Sequence, residues 1–146
     1  MEEPRRILNG RFFRVLYDSP AQLMQVVRTT AVFATIEEME PTFEQLVEAL
    51  DRGGRGGPLL VDLRAARGRN DEPFEAVMRG YRPRILAGFG PVGIFVRSVV
   101  GELQVQRHLR EDGTQRVVSS DLKIILETLG LAEVPACLSE LAEGSA

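Results

Sequence analysis

The chain has 146 residues, 44% of them hydrophobic, and carries 18 Lys plus Arg against 21 Asp plus Glu for a net charge of −3. That length and apolar share fit one globular domain and exclude wholesale disorder. One cysteine and one histidine exclude an internal disulfide framework and the usual zinc sites, and no apolar run approaches a membrane span.

Residues 1–7 are polar and charged and read as a loose lead-in. They lack the apolar core of a secretion signal, so the chain is expected to be cytoplasmic. A single domain is expected over residues 8–130. Arg11 to Asp18 (RFFRVLYD) is rich in aromatic and branched residues and stops at Ser19-Pro20, which predicts a strand. Leu23 to Thr30 follows after a short turn and predicts its antiparallel hairpin partner.

The period then changes. Thr35 with Glu38, and Thr42 with Gln45, each match a capping box, and Phe43, Leu46, Val47 and Leu50 form the stripe of an amphipathic helix. The glycine-rich run Gly53 to Gly57 ends that helix. It follows a helix and enters a strand, the reverse of a phosphate-binding loop, and reads as a connector. Pro58 to Leu63 (PLLVDL) has the continuous apolar character of a buried parallel strand.

After a polar loop, Asp71-Glu72-Pro73 starts a helix with its acids at the positive dipole end. Phe74, Val77, Met78, Tyr81, Ile85 and Leu86 continue its face, with Pro83 expected to kink or split it. Pro91 to Val96 is a further buried strand. Ser98 caps a helix carrying Val99, Leu103 and Leu109, Gln115 to Ser119 is a short last strand, and Asp121 to Leu129 a last helix ended by Gly130. In the tail over residues 131–146, Leu131, Val134, Leu138 and Leu141 either make a short amphipathic helix or fray. The order ββαβαβαβα predicts an α/β fold: a mixed, mostly parallel sheet of about five strands with an antiparallel edge strand and about four helices.

With its hairpin start, the buried strand Leu59-Leu60-Val61-Asp62-Leu63 and the strand Gly93-Ile94-Phe95-Val96 leading into a helix, the chain resembles the STAS-like proteins, the sulfate transporter and anti-sigma factor antagonist group. The nearer likeness is to small bacterial single-domain members of that group. The resemblance implies a non-enzymatic regulatory module that docks a protein partner on the sheet edge and on the helix from Pro73 to Phe89. In the antagonists an Asp-Ser pair follows such a strand, and phosphorylation of the serine switches partner binding. The corresponding loop here runs from Leu63 to Asp71 without Ser, Thr or Tyr, so that switch does not carry over, and Asp71 reads as a helix cap.

Ligands in parallel α/β sheets meet the loops at the carboxyl ends of the strands. Two such loops gather Arg64, Arg67, Arg69, Asn70 and Asp71, and Arg97 with Ser98, beside two helix N-termini. They form a candidate anion or partner surface, the alternative being solvated loop arginines. Lys123 is the only lysine. The arginine excess is read as coding bias, because the negative net charge and interspersed acids argue against nucleic acid. His108 lacks the partners of a catalytic base and is expected to face solvent or be satisfied. Cys137 reads as incidental, and Glu37, Glu38, Glu40 and Glu44 as dipole complements at a helix start. No residue set calls for a cofactor or metal. The two functional expectations are a protein-docking module, with a homodimer through the tail as one form, and a sensor of a small anionic ligand.

Overall fold

The structure, a computed structural model, describes residues 4–66, 71–113 and 116–134. Six strands form one sheet in the order β1-β2-β3-β4-β5-β6: β1 (Arg5–Asn9), β2 (Phe13–Asp18), β3 (Leu23–Arg28), β4 (Leu59–Asp62), β5 (Val92–Phe95) and β6 (Val117–Ser119). The first two pairings are antiparallel and the remaining three parallel. The helices are α1 (Met39–Gly53), α2 (Glu72–Leu86), α3 (Val99–Asp112) and α4 (Leu122–Leu129), with one 3-10 turn over Ile36–Glu38 ahead of α1. The architecture is the α/β class expected.

Three expectations are corrected. The lead-in is not loose, because Arg5–Asn9 pairs antiparallel with β2 and becomes the outermost strand. Its half-buried Ile7 and Leu8 pack against the main core, enough apolar surface to hold a polar-looking segment at a sheet edge. Pro83 does not split α2, which runs through it to Leu86. The proline lies in the last turn, where it removes a single ladder bond, and the buried Ile85 and Leu86 beyond it keep that turn on the core. Thr42 is no cap, for it lies inside α1 and its hydroxyl donates to the Glu38 carbonyl at 2.8 Å. The other box stands: Glu38 accepts from the backbone N–H groups of Ala34 and Thr35 at 2.8 and 3.4 Å. Residues 135–146 of the tail lie outside the described residues, while Leu131 packs on the smaller core cluster.

Side-chain alternation along the strands sorts the core into two layers. Val15, Met24, Val26, Leu59, Val61, Val92 and Ile94 join α1, α2 and α3 on one face. Leu23, Leu60 and Phe95 join Ile125 and Leu129 of α4 on the other. Three helices thus cover one face, and the described part of the second face carries a single eight-residue helix. The α1–β4 connector needs its glycines: Gly54 and Gly56 have φ of +94° and +118°, conformations that disfavour any side chain. Gly90 donates to the Gly57 carbonyl at 2.9 Å and fixes the connector against the entry to β5.

Candidate ligand-binding site

Under the three helices the packing leaves a gap. A cavity of about 240 Å³, partly open to solvent, lies between the sheet and α1, α2 and α3. Its floor is the sheet face of Phe13, Val26, Val61 and Ile94, all buried. Phe43 and Leu46 of α1 close one side. Phe74 and Met78 of α2 and Gln104 and Val105 of α3, all half-buried, form the wall toward solvent. Most of the lining is apolar, and its charged and histidine members fall into two groups.

The first group is Arg28, at the carboxyl end of β3. Period-two alternation puts Met24, Val26 and Arg28 on the same face, so the last residue of the strand points where core residues point. Arg28 is only 7% exposed. Its Nη1 donates to the carbonyls of Phe12 and Thr29 at 3.2 and 3.0 Å. Its Cζ stands 5.7, 5.4 and 5.1 Å from the ring centroids of Phe12, Phe13 and Phe33, within the range of cation–π attraction. Phe12 and Phe33 are themselves stacked at 4.1 Å. No acid among the described residues pairs with it, and burial pushes its pKa below the ordinary arginine value.

The second group clamps α2 to α3. Arg82 donates from Nε to Asp112 at 2.5 Å and from Nη2 to Glu75 at 2.5 Å, with the Asp112 side chain 1% exposed. Burial works against the Arg82 charge, but the hydrogen bonds to Asp112 and Glu75 outweigh it and raise its pKa. His108 stands beside them with Nδ1 3.3 Å from Glu75 Oε1. Nδ1 is buried and has no hydrogen-bond partner among the described residues. His108 thus stands half-buried on the cavity wall, within ion-pair distance of Glu75.

The residues singled out in the sequence have other tasks. Arg64 folds back on Asp62, with Nε and Nη2 at 3.0 and 2.8 Å from its two carboxylate oxygens. It also stacks 4.5 Å over the Phe95 ring, which belongs to the α4 side of the sheet. Asp71 caps α2 by accepting from the Phe74 N–H at 3.3 Å, and Ser98 caps α3 by accepting from the Gly101 N–H at 3.1 Å. Arg97 is exposed. Arg67, Arg69 and Asn70 lie outside the described residues. Arg64, Asp71 and Ser98 thus each make a contact within the fold.

The signal for Arg28 was present in the sequence as a charged residue in register with Met24 and Val26. Its position at a strand end made a solvated arginine the simpler reading. Glu75, Arg82 and His108 come together only because α2 and α3 pack side by side, which no local pattern shows. Among the described residues no group of three His, Cys, Asp or Glu side chains could hold a metal ion, and no helix is long and apolar enough to cross a membrane. α3 also exposes three apolar side chains, Val99, Val100 and Leu103, at 63, 75 and 64%, whereas α2 exposes no large hydrophobic side chain. No protein-family model matches the sequence, and neither the curated proteins nor the solved structures yield a match.

Proposed function

We propose that this chain is a binding module that takes a small, largely apolar molecule into the cavity beneath α1, α2 and α3, without chemistry of its own. The cavity itself carries the reading. Closely packed interiors leave few voids larger than a water molecule, and an apolar void with a few polar groups at its ends is the usual form of a ligand pocket. By comparison with the ~150 Å³ cavity that takes benzene, it has room for about ten non-hydrogen atoms. Octanol and butylbenzene are therefore suitable neutral probes. Both should raise the melting temperature, the rise growing with the logarithm of ligand concentration above Kd, since each binds only the folded state. Val105→Phe, which fills the wall from α3, should abolish the shift while leaving the protein folded. A melting temperature unmoved by either probe up to its solubility limit overturns the reading.

A second reading has support in α3. Val99, Val100 and Leu103 form an exposed apolar patch beside β6, which is an edge strand, and such patches mark docking faces. This is the protein-docking role that the STAS-like resemblance implies, placed on α3 rather than on α2. The two readings are compatible, because cavity and patch lie on opposite sides of the same helix.

A further inference from the structure

We propose that the cavity's ligand is an anion, a short-chain or medium-chain apolar carboxylate whose head group is received by Arg28. The proposal rests on the binding reading above and names the class of molecule. Arg28 is a lining residue of the cavity, nine-tenths buried, and has no acidic partner among the described residues. Buried cations are ordinarily paired with an acid. Here two backbone carbonyls and three phenyl rings do part of that work, the carbonyls on Nη1 and the ring centroids 5.1–5.7 Å from Cζ. Nε and Nη2, the edge that would grip a carboxylate side-on, have no partner among the described residues.

The contrast with Arg82, 13% exposed at its side chain, is informative. It lines the same cavity but is fully engaged by Glu75 and Asp112. Of the cavity's two arginines, one is neutralised from within the fold and the other is left for a guest. The ends of the cavity also set a length. Arg28 stands on β3 and Ile94 on β5, two strand spacings apart, or about 10 Å. A carboxylate on Arg28 would thus lead an apolar chain over Val26, Val61 and Ile94 toward the α2–α3 wall. An alkyl carboxylate such as octanoate has ten non-hydrogen atoms, the number the volume admits.

The test compares octanoate with octanol on the whole protein by isothermal titration calorimetry at low salt. The two probes share a chain and differ in head-group charge. Octanoate should bind at least tenfold more tightly. Arg28→Met should bring the ratio of the two dissociation constants to about one while preserving octanol binding. Arg28→Lys, which keeps the charge without the fork, should retain part of the preference and remains informative where the Met variant fails to fold. Equal affinity of the wild type for both probes overturns the head-group assignment and leaves the cavity reading standing. Binding of neither probe overturns both. A preference for octanoate that survives in both Arg28 variants also overturns the assignment and places the anion receptor elsewhere.

Discussion

Gln25 offers a substitution whose sign runs against the usual expectation for a core position. It lies in the middle of β3, 0% exposed, between Leu16 of β2 and Leu60 of β4 on the α4 side of the sheet. Neither its Nε2 nor its Oε1 has a hydrogen-bond partner among the described residues. An amide buried unpaired costs about 1–3 kcal/mol relative to an apolar group. Methionine has the same unbranched length and adapts to irregular space, so Gln25→Met removes that cost with less than about 1.5 kcal/mol of repacking. The expected balance is a gain of about 1–2 kcal/mol in unfolding free energy. At this chain length that corresponds to roughly 3–6 °C in melting temperature. Thermal unfolding followed by circular dichroism should show the rise, and urea unfolding should show a higher midpoint with an unchanged slope. A loss of 1 kcal/mol or more would refute the reasoning, because it would mean that the amide is paired in solution.

The α2–α3 clamp should be costly to break from one side. Asp112→Ala leaves Arg82 buried with Glu75 as its remaining partner, and should cost about 3 kcal/mol in urea unfolding. Replacing the whole triad, Glu75→Leu with Arg82→Met and Asp112→Leu, should recover most of that loss, and a triple variant as unstable as the single one would show that the clamp is not the cause. The α3 patch makes a separate expectation. If it docks a second copy, the wild type should sediment as a dimer, and the Val100→Asp, Leu103→Asp variant as a folded monomer whose melting no longer depends on protein concentration. A wild type that stays monomeric at high concentration removes the second copy as its occupant.

How far the sequence showed this molecule depends on the range of the interactions involved. Period and punctuation are local, and they located β2 to β6 and α1 to α4 among the described residues, including the caps at Asp71 and Ser98. The first strand escaped because Arg5–Asn9 is a strand only by pairing with β2, and its own residues are mostly charged or polar. The site escaped for a related reason. Loops at the carboxyl edge drew attention through their arginines, yet Arg64 is spent on Asp62 two residues away. That ion pair is visible only once the backbone turn after β4 is known. Capping also consumed Asp71 and Ser98, so residues that fit an anion site on spacing were already committed to helix ends.

The arginine excess, read at first as coding bias, has structural uses that lysine could not supply. Arg28, Arg64 and Arg55 each lay a planar guanidinium on a phenyl ring while donating from its edge, a combination that depends on the delocalised fork. Arg55 reaches from the end of α1 to the carbonyls of Ile85 and Ala87 at 3.0 and 2.6 Å, and so ties the end of α2 to the connector. Arg84 and Tyr81 share Glu44 across the α1–α2 contact, and those hydrogen bonds, Arg84's the stronger influence, hold the Glu44 carboxyl below its usual pKa. In each of these cases the guanidinium's partners lie within the fold. Arg28 differs in having aromatic faces and carbonyls but no carboxylate, at the carboxyl end of a strand and on the wall of the described cavity. A fold that pairs the half-buried Arg55, Arg64 and Arg82 with acids and leaves the more deeply buried Arg28 without one among the described residues makes Arg28 the position where an external anion has the most to contribute.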